Sequence, residues 1–168
     1  TVRQDHIVES SLGLYVDVST RWTESFRTNF GVRHDQYRFQ VDGDRRENSG
    51  KANDHITSPS ASLIFGPWSK TELYVNLGTG FHSNDARATL TTIDPQSLEA
   101  TGKSPGLVRA RGSELGMRTE ILPGLHSSVS LYRLDFDSEL SFVGDAGTTE
   151  AGRPSRRHGI EISNSYQA

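Results

Sequence analysis

Leu12-Gly13-Leu14-Tyr15-Val16-Asp17-Val18-Ser19-Thr20-Arg21-Trp22 separates into two sets of residues spaced two apart. Leu12, Leu14, Val16, Val18, Thr20 and Trp22 share one parity, and Tyr15, Asp17, Ser19 and Arg21 share the other. Successive side chains of a β-strand point to opposite faces, so the stretch predicts a long strand with one oily and one polar face. Thr23-Glu24 interrupts it, and Phe26, Thr28, Phe30 and Val32 resume an oily face against Arg27, Asn29, Gly31 and Arg33. The gap is short enough for a tight hairpin.

The same alternation recurs at Ala61, Leu63 and Phe65, at Leu73, Val75, Leu77, Thr79 and Phe81, and at Leu115, Met117, Thr119 and Ile121. A further strand runs from Val129 to Phe142, and a last one begins near His158 with Ile160 and Ile162. About seven strands follow, most longer than the ~5–6 residues usual in globular proteins and long enough for the ~9–11 that crossing a bilayer requires. Their connections alternate in length. Thr23-Glu24, Gly66 to Lys70 and Pro123-Gly124 are short; residues 43–55, 84–108 and 144–156 are long. An antiparallel meander with every long loop at one end gives this rhythm, as in outer-membrane barrels with short periplasmic turns and long external loops. The expected fold is therefore all-β: an up-and-down meander of about seven strands, each paired with the next, forming a partial transmembrane barrel.

Two strands change phase. Phe30 and Val32 are even, whereas Tyr37, Phe39 and Val41 are odd; either a bulge lies near His34–Gln36 or the strand has left the membrane there. Val129 and Leu131 are odd, whereas Leu134, Phe136, Leu140 and Phe142 are even. A bulge flips parity, and one around Leu131–Arg133 would keep Arg133 out of lipid. Within the second long loop, Asp94-Pro95 suits the N-cap and first position of a short helix through Glu99.

Composition narrows the function classes. Of 168 residues 33% are apolar, thin for a two-layer core. A net charge of −3 argues against a nucleic-acid partner. Cysteine is absent, which removes thiolate metal sites. The six histidines show no metal-ligand spacing. Gly78-x-Gly80 lacks the rest of a dinucleotide fingerprint, and no Gly-x-Ser-x-Gly elbow occurs. Neither an enzyme, a metal nor a cofactor is expected.

Four short stretches resemble segments of TonB-dependent receptor barrels. They are Leu73 to Arg87 with its Gly78-Thr79-Gly80-Phe81, Arg109 to Arg118 with Glu114-Leu115-Gly116-Met117-Arg118, Asp135 to Leu140, and Arg156-Arg157-His158-Gly159-Ile160-Glu161. They occur in the family's order. The resemblance covers roughly residues 10–168 and implies a 22-stranded barrel of the bacterial outer membrane around an N-terminal plug. Such receptors import a scarce solute (a ferric siderophore, haem, cobalamin or some carbohydrates) with energy passed through TonB. The implied partners are outer-membrane lipid, the remaining barrel and plug, TonB through the plug, and a small-molecule cargo. No plug, TonB-contacting box or closing strand is found in residues 1–168, so these are expected to be a fragment of the barrel. Another outer-membrane barrel, such as a porin-like channel, and a soluble β-sandwich binding or carbohydrate-active domain stay as alternatives.

His82, Asp85 and Arg87 fall where a strand meets a long loop, and are candidate cargo contacts. Arg109 and Arg111 are placed above the membrane, where that loop re-enters the sheet, as further candidates. Glu114, Arg118 and Glu120 share the polar parity and are expected to line a hydrated wall. Arg153, Arg156 and Arg157 are read as surface charge. Trp22 and Trp68 lie at two short turns, as an interfacial aromatic girdle requires.

Overall fold

The structure, a computed structural model, describes residues 4–94, 97–138, 140–143 and 148–167. Seven long strands form one antiparallel sheet: β1 (Asp5–Thr23), β2 (Phe26–Gly43), β3 (Gly50–Trp68), β4 (Thr71–Ser83), β5 (Leu107–Thr119), β6 (Leu125–Phe136) and β9 (Ser155–Tyr166). Each pairs with the next in sequence, as expected. Between β6 and β9, β7 (Leu140–Val143) and β8 (Thr148–Ala151) pair as a separate small hairpin. A short α-helix, α1 (Ala86–Leu90), lies in the loop after β4, and a 3-10 turn (Arg46–Asn48) lies between β2 and β3.

At one end the turns are tight. Ser69 and Lys70 both have positive φ, 48° and 62°, as a two-residue hairpin turn matched to strand twist requires. At the other end, residues 84–106 and 137–154 connect the strands. The loop expected at 43–55 shrinks to 44–49, because β2 and β3 continue pairing to Val41 opposite Gly50.

The bulge expected around Leu131–Arg133 is absent, and so is one at His34–Gln36, the first of the two readings of that phase change. The β1–β2 register runs unbroken through Leu14 opposite His34 and Leu12 opposite Gln36. Tyr37, Phe39 and Val41 are apolar on the polar parity where a loop packs over them. The β5–β6 register is equally continuous through Leu115 opposite Leu131 and Ser113 opposite Arg133. β6 ends at Phe136, so Leu140 and Phe142 belong to a different strand and their phase carries no information about β6. The helix expected from Asp94 falls in part on residues outside those described. At its ends the Asp94 N–H donates to the Glu99 carbonyl and the Leu98 N–H to the Asp94 carbonyl. Pro95 and Gln96 lie outside the described residues.

The apolar parity is open to the surroundings on β1, β2, β4, β5, β6 and β9, and partly so on β3. Leu14 is 69% exposed and Ile162 70%. One ladder row reads Val18, Phe30, Ala61, Leu77, Ser113, Arg133 and His158. The next row toward the tight turns reads Thr20, Thr28, Leu63, Val75, Leu115, Leu131 and Ile160. The first row passes from oily to charged, the second ends oily. Strand tilt accounts for this. Strands about 4.8 Å apart and tilted about 40° climb about 3 Å per step along a row, hence about 12 Å over the four steps from Phe30 to Arg133. That is about half of an apolar band about 25 Å tall. Arg133 therefore stands at the band's edge without any bulge.

Glycines on the polar face make room for neighbouring side chains. A Cβ built at Gly116 would lie 2.1 Å from the Tyr74 ring on β4. Tyr74 thus lies flat across β5 and donates its hydroxyl to Glu114 at 3.1 Å. Gly116→Ala is expected to expel that ring and cost about 1–3 kcal/mol, the usual range for overpacking. Urea unfolding of the full-length protein in lipid vesicles would show it, and an unchanged midpoint would remove the packing role.

Candidate functional site: the external mouth

Most of the fold's buried apolar side chains gather in one place. Phe39, Val41 and Ile56 from β2 and β3 pack against Ala86, Leu90 and Leu107 from the 84–106 loop and its exit. Phe39 and Val41 are 1% and 0% exposed. They project from the polar face, so the loop folds inward over that face at the end opposite the tight turns. Close approach is built in: a Cβ at Gly106 would lie 2.7 Å from the Phe39 ring.

Hydrogen bonds latch the loop. Asn84 closes its base, its N–H donating to the Gly106 carbonyl at 2.8 Å and its side-chain amide to the Pro105 carbonyl at 2.7 Å. Asp54 Oδ2 on β3 accepts the Leu107 N–H at 3.0 Å. Asn48, at the β2–β3 tip and 1% exposed, accepts the N–H groups of Thr92 and Ile93 and donates to the Ile93 carbonyl. These residues were not legible as functional. Asn48 sat among many polar loop residues, and only the fold shows which backbone it meets.

The sequence candidates fall into two groups. Asp85 caps α1, accepting the Arg87 N–H at 2.8 Å, and also grips the Arg87 guanidinium through both carboxylate oxygens. Those hydrogen bonds hold the Arg87 guanidinium above its ordinary pKa, against a smaller lowering by burial. His82 stands on the polar parity of β4, opposite Val108, half-exposed at the foot of the loop. Arg109 and Arg111 have the opposite parity. Arg109 donates to the Thr57 carbonyl at 2.9 Å and to Thr79 Oγ1 at 3.2 Å, bracing β3 against β4 where their pairing has stopped above Ser60 and Gly78. Arg111 grips Asp137 through both Nη groups. The five do not converge on one point.

Below the mouth, the polar face is a network of ion pairs and hydrogen bonds. Glu72 on β4 binds Arg27 on β2 and Arg118 on β5, each at 2.6 Å. Glu114 accepts from Asn76 at 3.0 Å and from Tyr74. Glu120 lies 3.9 Å from His126. Glu72, Asn76 and Arg27 join the expected wall of Glu114, Arg118 and Glu120. A recess of about 780 Å³ runs over this face past Ser60, Asn76, Gly78 and Tyr132. Among the described residues no group of three side chains could hold a metal, and no helix is long and apolar enough to cross a membrane. Trp22 and Trp68, at the tight-turn end, are 61% and 52% exposed, and the Trp22 indole donates to Thr28 Oγ1 at 2.9 Å.

No curated protein matches the chain by sequence. Solved structures do match its fold. The FrpB iron transporter from Neisseria meningitidis (F3-3 variant) superposes with a TM-score of 0.70 at 17% identity, covering 96% of this chain and 24% of that one. A double mutant of the Serratia marcescens hemophore receptor HasR, in complex with its hemophore HasA and heme, gives 0.72 at 16% identity, covering 95% and 32%. The copper transporter OprC gives 0.73 at 17% identity, covering 96% and 27%. The chain thus spans about a quarter to a third of the length of these structures. The sequence profile described as "TonB dependent receptor-like, beta-barrel" matches residues 1–167. With that match over a seven-stranded antiparallel sheet that has one oily and one polar face, the chain belongs to the TonB-dependent receptor family and forms part of its bacterial outer-membrane β-barrel.

Proposed function

We propose that this sheet is a wall segment of a receptor that takes up a scarce small solute at the cell surface, with energy delivered through TonB. The inward-folded 84–106 loop carries this reading. It narrows the external mouth while the polar face below stays hydrated, an arrangement suited to capture at the rim. Iron, heme and copper are what the structural relatives handle, and a chelated metal or haem is the cargo class to test first.

Among the candidate contacts, His82 is assigned the direct role, because it is half-exposed on the inner face at the loop's foot. Asp85 and Arg87 act by holding that loop, and Arg109 and Arg111 by bracing the rim. Trp22 and Trp68 anchor the periplasmic interface of the membrane, where amphipathic rings are favoured. The test is uptake of labelled ferric siderophores, haem and cobalamin by cells carrying the full-length receptor. Uptake of one of them, lost when TonB is removed, is expected. His82→Ala should raise the Kd for that cargo about tenfold, about 1.4 kcal/mol. Uptake that persists without TonB would instead mark a passive channel.

A further inference from the structure

The apolar parity does not stay apolar to its external end. On β5, β6 and β9 it carries Arg111, Arg133 and Arg156, with Asp135 and Asp137 between them. Arg133 and Arg156 both donate to Asp135, at 2.7 and 2.5 Å, and Arg111 to Asp137. The three arginine side chains are 54%, 51% and 61% exposed. They line a recess of about 530 Å³ that also includes Phe136 and Ser155. Leu131 and Ile160 lie one ladder row below Arg133, a distance of about 7 Å along the strand. The cluster therefore stands directly above the lipid-facing band, outside the barrel, where headgroups of the external leaflet pack.

We propose that this cluster binds the phosphorylated headgroup of an outer-leaflet glycolipid. Three guanidinium groups face two carboxylates among the described residues, which leaves a cationic excess. The carboxylates hold the forks in place and leave donors over. Arg156 gives Asp135 its Nε, while its two Nη groups make no hydrogen bond among the described residues. A guanidinium fork matches two phosphate oxygens at once. Long arginine stems can lie along the oily wall while their heads reach the headgroup layer. Arg157, the sequence neighbour of Arg156, has the other parity. It lies on the inner face with its guanidinium 5.0 Å from the centre of the Phe136 ring.

The test uses the full-length receptor purified in detergent, incubated with bisphosphorylated lipid A, with enzymatically dephosphorylated lipid A, or with phosphatidylglycerol, and weighed by native mass spectrometry. The wild type is expected to retain bisphosphorylated lipid A at least tenfold above the other two. An Arg133→Gln/Arg156→Gln pair should lose that excess while keeping the heat-modifiable gel mobility of a folded barrel. Should the pair fail to fold, Arg156→Gln alone, at the most exposed of the three arginines, carries the same comparison with a smaller loss. Equal retention of phosphorylated and dephosphorylated lipid A by the wild type would overturn the proposal. So would undiminished retention by a folded variant, or retention of phosphatidylglycerol equal to that of lipid A.

Discussion

Arginine at Leu115 is expected to destabilise the membrane-inserted barrel by about 2–4 kcal/mol, the cost of a cation near the bilayer midplane. Leu115 is 54% exposed on the outer parity and neighbours Leu131 and Val75 across the ladder. Arginine at Ser113, two residues nearer the external end, should cost about 0–1 kcal/mol, the value near the interface. The sharper comparison is Phe30→Arg. Phe30 occupies the same ladder row as Ser113 and Arg133, yet tilt places it deep in the band, so the cost should again be about 2–4 kcal/mol. Urea unfolding of the full-length receptor in vesicles measures all three. Similar costs for Phe30 and Ser113 would mean that the row lies parallel to the membrane and that the tilt argument is wrong.

That comparison also marks what the sequence could and could not show. Parity was legible wherever a strand meets lipid on one side and water on the other, as from Leu12 to Trp22 and from Leu73 to Leu77. It needed only the period of two. Strand order and direction followed from loop lengths, because a tight turn leaves an antiparallel neighbour as the simplest outcome. Parity misled where a third environment intervened. Phe39 and Val41 are oily on the polar face because a loop 45 residues or more downstream covers them, as the Phe39, Val41 and Leu90 cluster shows. Arg133 looked misplaced because parity gives the face of a strand and not its depth. Depth depends on tilt, a property of the whole sheet.

The site was less legible than the fold. His82, Asp85 and Arg87 fall at the strand–loop junction that their place in the sequence suggests, but position alone does not separate a half-buried ring from a capped and gripped pair. Asp85 does resemble an N-cap in retrospect, two residues before the N–H it accepts. The short helix it begins was missed, because Asp-Pro at Asp94 gives the stronger local signal. Burial of Ala86, Ala88 and Leu90 decides the outcome. A five-residue helix gains little from propensity and forms where its apolar side chains find a surface.

The loop's latch sets the second large effect. Asn48 contributes three hydrogen bonds to the backbone of Thr92 and Ile93 from a nearly fully buried position. With about 1 kcal/mol net for each, and more where a buried partner is left unmet, Asn48→Ala should weaken docking of the loop by about 2–4 kcal/mol. The barrel strands keep their ladder, so global unfolding should move far less than local opening does. Amide hydrogen exchange at Thr92 and Ile93 in the full-length receptor would accelerate by about 1.5–3 orders of magnitude if opening limits exchange. Asn48→Asp supplies the control. It keeps an acceptor for both N–H groups but sets a buried carboxylate oxygen against the Ile93 carbonyl, so it should not recover the wild-type exchange rate. If instead exchange is unchanged in Asn48→Ala, the apolar contacts of Leu90 and Leu107 hold the loop by themselves, and the narrowing of the mouth owes nothing to the β2–β3 tip.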